Sequence, residues 1–107
     1  MSFTVRELPK ATQDKTSIFR WLHARSPKGA AAWLDAYDAT VDRLRQSAAS
    51  FSEAAENRDC EFDVRQALFK TRRGRVYRVL FFVEGDHAFI LRVRGPGQAP
   101  VIPDEMR

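Results

Sequence analysis

Apolar residues recur along this chain with two different periods, and the change from one to the other separates a helical first half from a sheet-forming second half. Ala30, Trp33, Leu34, Tyr37, Val41, Leu44 and Ala48 are spaced 3, 1, 3, 4, 3 and 4, which is one continuous helical face. Ser26 followed by Pro27 supplies its start: a side-chain oxygen to cap free amides, then a residue whose missing amide is not needed in the first turn. Upstream, Ile18, Phe19, Trp21 and Leu22 bunch at helical spacing between Thr12, a candidate cap, and Arg25, so a shorter first helix is predicted. Two helices with so short a joint form an αα-hairpin whose joint apolar surface suits one side of a small sheet.

Strand signals flank the hairpin. Phe3 to Leu8 alternates apolar and polar residues and stops at Pro9. Val64 to Lys70, Val76 to Val83 and His87 to Arg94 read as three further strands, the last two joined by the hairpin signal Glu84-Gly85-Asp86. Residues 49–62 lack a sustained period and read as a loop, with one helical turn around Glu53 to Asn57 and no assigned chemistry. The predicted order is β-α-α-β-β-β. The expected class is α+β, with the helical hairpin packed on one face of a small, mainly antiparallel sheet in a single domain spanning 1–107. The tail at 95–107 has three prolines and two glycines and is expected to be extended, and mobile unless something docks it.

Alternation along the strands assigns faces. Tyr77, Val79, Phe81 and Val83 point one way, and in the last strand Phe89, Leu91 and Val93 form the matching apolar set. With these sets against the helices, Arg78, Arg92 and Arg94 are expected on an open face beside Leu80, Phe82 and Ile90. The turn Thr71-Arg72-Arg73-Gly74-Arg75 adds three guanidiniums at the edge of the same sheet.

Charge sharpens that picture. Residues 1–63 carry nine basic and ten acidic side chains, whereas 64–107 carry nine basic and four acidic, so the net charge of +4 is concentrated on the sheet half. Such a field suits nucleic acid, an acidic protein or an anionic membrane, and charge alone does not choose among them. An open face that is half apolar and half cationic fits a partner bringing both apolar groups and negative charge, or an RNA to be clamped and stacked. The ordinary alternative is solvation, since arginines on an exposed sheet and at a hairpin tip also keep a protein soluble. Cys60 is the only cysteine, which removes disulfide frameworks and cysteine metal knuckles and fits a reducing, cytoplasmic setting. No apolar run approaches a membrane span, and the first residues lack a signal-peptide core. There is no Walker loop, dinucleotide glycine signature or nucleophile elbow, so no cofactor is expected, and no histidine, cysteine and acid set has metal-ligand spacing, so no metal is expected.

The segments SPKGAAAWLDAYDATVDRL, VRQALFKTRRGRVYRVLFFV and EGDHAFILRVRGPGQ together resemble the RelE/ParE toxin family of bacterial type II toxin–antitoxin modules, of the plasmid-stabilisation type. The resemblance spans about residues 3–98. It implies a compact α+β toxin neutralised by a cognate antitoxin, usually encoded beside it. Some members cleave messenger RNA on the ribosome without a metal, others inhibit DNA gyrase, and some have no established target. By resemblance to the RNA-cleaving members, Arg78 matches the strand arginine that stabilises the scissile phosphate. Lys70, Arg72 and Arg73 fall near the basic positions preceding it, and Arg94 lies near one that follows the last strand. Lys70, Arg73 and Arg78 are thus the candidate catalytic residues, with Arg72, Arg75, Arg92 and Arg94 as candidate substrate contacts. This tail has neither the tyrosine nor the histidine that RNA-cleaving members often place at the C-terminus.

That departure bears on mechanism. RNA cleavage through the 2′-hydroxyl needs a proton acceptor, a proton donor and cations for the developing phosphorane charge. Arginine supplies only the last, because its very high pKa makes it a poor base. Lys70, Tyr77 or His87 would have to move protons. The expected partners are therefore an antitoxin and either the ribosome with its messenger RNA or gyrase, with a non-toxic RNA- or protein-binding module as a further alternative.

Overall fold

The computed structural model describes residues 2–102, 105 and 106. Its elements run β1 (Thr4–Glu7), α1 (Pro9–Arg25), α2 (Pro27–Ser47), two 3-10 turns (Ala48–Ser50 and Ala55–Asp59), β2 (Arg65–Phe69), β3 (Tyr77–Glu84) and β4 (His87–Arg94). The strand order is β1-β4-β3-β2, with β1 parallel to β4 and the other pairs antiparallel. This is the expected β-α-α-β-β-β arrangement, with the helical hairpin on one face of a mainly antiparallel sheet.

The Ser26-Pro27 start works as its chemistry requires: the Ser26 hydroxyl accepts the Gly29 amide at 3.0 Å. The first helix begins earlier than Thr12. The strand stops before Pro9, as expected, and Pro9 itself opens the helix, while the Thr12 hydroxyl donates to the Glu7 carboxylate at 2.7 Å. Ala30, Trp33, Tyr37, Leu44 and Ala48 of the long apolar stripe are buried, while Leu34 and Val41 sit partly buried at its margins. Trp33, Tyr37, Phe69 and Tyr77 form an aromatic cluster with ring centroids 5.6–6.0 Å apart where α2 crosses the ends of β2 and β3. Aromatic side chains bury roughly 150–250 Å² each, so this cluster is a principal tie between hairpin and sheet. The tight turn between β3 and β4 needs Gly85, whose φ is +62°.

Two expectations about the sheet change. In β4, Ala88 and Ile90 face the helices, not Phe89 and Leu91, because a bulge interrupts the alternation: Phe81 pairs with Ile90, but Leu80 pairs with Arg92. Leu91 is the extra residue, and beyond it Val93 returns to the helical side. The opposite face is also not open. Ala54, Val64, Leu80, Phe82, Leu91, Val101 and Met106 form a second core there, supplied by the loop after α2, the sheet and the tail. Val101 and Met106 are 4% and 1% exposed, so the tail, expected to be mobile unless docked, is packed down at these positions. The remaining tail positions 103, 104 and 107 lie outside the described residues.

Candidate functional site

Covering the second face requires its arginines to be neutralised, because a buried guanidinium without a partner is strongly unfavourable. Arg78 and Arg94 are directly opposite across β3 and β4, as are Leu80 and Arg92. Like charges in such cross-strand positions repel. Arg78 and Arg92 are each neutralised by a separate carboxylate. Glu56, 3% exposed in the second 3-10 turn, grips Arg78 through both carboxylate oxygens at 3.0 and 2.8 Å and also accepts the Val101 amide at 3.1 Å. Gln66 of β2 adds an acceptor for Arg78 at 3.3 Å. Burial alone would raise the Glu56 pKa, but these bonds outweigh it and hold the carboxyl below its usual value.

Arg92 is equally engaged. Strand β1 covers β4 only as far as Ile90, which leaves the later backbone edge of β4 unpaired by strand. Asp14 of α1 fills that gap: its carboxylate accepts the Val93 amide at 3.0 Å and two Arg92 nitrogens at 2.7 and 2.9 Å. Arg92 also donates to the Glu105 carbonyl at 2.6 Å. The Asp14 bonds raise the Arg92 pKa further. Arg94 donates to the Ala99 carbonyl at 2.7 Å, while its buried Nε finds no partner among the described residues.

The remaining cations lie elsewhere. Lys70, Arg72, Arg73 and Arg75 are exposed in the β2–β3 connection. Lys70 borders a shallow groove with Arg43, Leu68 and Val76 beside the outer edge strand. Arg73 and Arg75 instead form one lip of a cleft of about 810 Å³ between that turn, the joint of the hairpin and the turn after β4. The predicted site residues thus separate into an internally paired set, Arg78 and Arg92 with Arg94 beside them, and an exposed set on the loop. His87, weighed for proton transfer, faces Asp86 at 2.9 Å at the far end of β4 from Arg94. Tyr77 lies against the helices, where burial raises its phenol pKa. Among the described residues no group of His, Cys, Asp and Glu is arranged to hold a metal ion.

Sequence reasoning missed Glu56 and Asp14, the two carboxylates that decide the state of the arginines. A signal existed for the first: the stretch 53–63 is rich in acids and precedes a basic sheet lacking counter-charges. No comparable signal marks Asp14, whose role follows from where β1 happens to stop.

The arrangement of strands and helices recurs in a solved chain from the chromosomal ParDE TA system of P. aeruginosa. The TM-score is 0.68 and the identity 21%, over 87% of this chain and 95% of that one. At this identity the likeness defines a shared fold. No family model matches the sequence. No curated protein matches it either. No helix among the described residues is long and apolar enough to cross a membrane.

Proposed function

We propose that the chain is the toxin of a bacterial type II toxin–antitoxin module of the RelE/ParE kind, and that it acts in the cytoplasm by binding its target rather than by cutting RNA. The fold shared with a chain of a ParDE TA system supports the module, together with the sequence resemblance across residues 3–98. A cognate antitoxin is the expected partner. Leu68 and Val76, 49% and 46% exposed beside the edge strand, offer apolar surface for such a protein.

The observation that carries the mechanism is the state of Arg78. A phosphate-stabilising arginine must offer its guanidinium fork to the substrate, and here the fork is occupied by a buried carboxylate of the same chain. Of its hydrogen-bond partners, Gln66 does not titrate, and the Glu56 carboxylate is buried with both oxygens occupied by Arg78 and Val101. Inhibition of gyrase, which the resemblance offers beside messenger-RNA cleavage, is therefore the reading the geometry favours. Ribosome-dependent, metal-independent cleavage is the second reading, favoured by the exposed Arg72, Arg73 and Arg75.

Induced expression of the chain alone, followed on the same cells by primer extension and plasmid topology, separates the two. Growth arrest with relaxed plasmid and no new 5′ ends supports the binding toxin. Arrest with new 5′ ends inside translated frames that vanish in Arg78→Ala supports the nuclease and removes the first reading.

A further inference from the structure

We propose that the sheet face beneath the tail is a peptide-binding groove, which the chain's own tail fills as a displaceable strap and which takes an extended, acidic and apolar segment of a partner protein in its place. The inference stands apart from the toxin reading, because it rests only on how the body of the chain holds its tail.

The tail is held as a peptide ligand is held. Three charged side chains grip it through backbone atoms: Arg94 donates to the Ala99 carbonyl at 2.7 Å, Glu56 accepts the Val101 amide at 3.1 Å, and Arg92 donates to the Glu105 carbonyl at 2.6 Å. Main-chain bonds of this kind hold an extended segment whatever its sequence, and pockets for particular side chains then select among segments. The selecting contacts here are Val101 and Met106, buried with Leu80, Phe82 and Leu91, whereas Ile102 between them is 55% exposed. The connection to β4 is a hinge. Its turn is closed by bonds between Gly95 and Gln98, and Gly97 has a φ of +80°, a conformation that suits glycine. Opening that turn releases the strap and leaves the strands paired.

The arginines select the preferred occupant. Arg78 has Glu56 and Arg92 has Asp14, but among the described residues Arg94 has no carboxylate. Arg94 lies directly opposite Arg78 across β3 and β4, and its buried Nε has no hydrogen-bond partner among the described residues. The tail answers this cation with one carbonyl oxygen. A segment with a carboxylate in place of the exposed Ala99 brings the charge-assisted acceptor that the tail lacks. The best ligand is therefore extended, with an acidic residue, an apolar residue two positions later at the place of Val101, and a second at the place of Met106. A nucleic acid would meet Arg94 but leave both apolar places empty.

Hydrogen exchange on the intact chain tests the strap. The Val101 amide should be protected at least tenfold less than that of Val79 in the middle of the sheet, because the tail opens while the strands stay paired. The groove is tested on the full-length chain carrying Val101→Ser with Met106→Ser, which releases the strap, after circular dichroism has shown it folded. It is titrated calorimetrically with a synthetic peptide of residues 96–107 and with the same peptide carrying Ala99→Glu. Both peptides should bind saturably, the second about tenfold more tightly, and that gain should vanish when Arg94→Gln is added to the chain. The unaltered chain should bind both more weakly, since its own tethered tail competes. If the opened chain does not fold, Ala99→Glu in the otherwise unaltered chain carries the test: protection of the Val101 amide should rise about tenfold, and not when Arg94→Gln is also present. Equal protection of Val101 and Val79, no saturable binding to the folded opened chain, or a glutamate that adds nothing would each overturn the proposal. Growth arrest does not enter these assays, so their failure and failure of the toxin reading are distinguishable.

Discussion

Replacing Glu56 by glutamine keeps the side chain's shape and removes its charge, which tests whether Arg78 is held by a buried ion pair. The carboxylate is 1% exposed and the Arg78 side chain 23% exposed, so the pair is screened mainly on the arginine side. Removing one partner of a fully buried pair costs roughly 3–5 kcal/mol. Partial exposure of Arg78, and the carbonyl oxygen that glutamine retains for one bond, reduce the expected loss to about 2–3 kcal/mol. For a domain near 100 residues each 1 kcal/mol shifts the melting temperature by about 4–8 °C, so a fall of roughly 8–24 °C is expected. Thermal unfolding followed by circular dichroism measures it. A double-mutant cycle with Arg78→Met separates the pair from each residue's other contacts, and the two changes together should be less damaging than their sum. A shift of under about 0.5 kcal/mol for Glu56→Gln, or full additivity in the cycle, would refute the ion-pair account.

Other consequences follow from the same contacts. Met106→Ala should destabilise by about 2–4 kcal/mol because the side chain is 1% exposed, whereas Ile102→Ala, at 55% exposed, should be nearly neutral in denaturant titration. Ser26→Ala should cost about 1 kcal/mol by leaving the Gly29 amide without its cap, measurable in the same titration. Glu56 and Glu7 both have pKa values below the ordinary carboxylate range: burial acts against this, while bonds from Arg78 and Val101 to Glu56, and from Tyr37, Thr12 and Lys15 to Glu7, prevail. The unfolded chain therefore binds protons at a higher pH than the folded one. Their contribution is fully present above the unfolded value near 4.5 and is lost as pH falls through the folded values, so unfolding midpoints should drop steeply below pH 4.5, and less so in Glu56→Gln. Tyr37, whose phenol is pushed well upward by burial and by Glu7, should not ionise before the fold is lost at high pH, which ultraviolet difference spectra can follow.

The hairpin was legible because its signals are local: Ser26 and Pro27 mark a start and seven apolar residues repeat on one helical face. Strand positions and the Gly85 turn were legible for the same reason. What failed were inferences spanning many residues. Strict alternation put Ile90 on the open side, and one bulge residue, Leu91, reversed that assignment while leaving Arg92 opposite Leu80. A segment with no periodicity, 49–62, was assigned no chemistry, yet it delivers the Glu56 carboxylate to an arginine 22 positions away. The tail likewise looked unstructured from its prolines, but proline ends regular elements without preventing Val101 and Met106 from packing. An arginine's availability depends on such distant partners, so the sequence could point to Arg78 without showing that its charge is already met.

The central claim is that this chain is a growth-arresting toxin held in check by a partner. It is tested most directly by viable counts after induced expression of the chain alone and together with a candidate antitoxin, which the toxin reading expects to be encoded in an adjacent frame. The account predicts that counts fall by orders of magnitude with the chain alone and recover when the partner is present. Unchanged counts from cells containing the folded chain and no partner would contradict it.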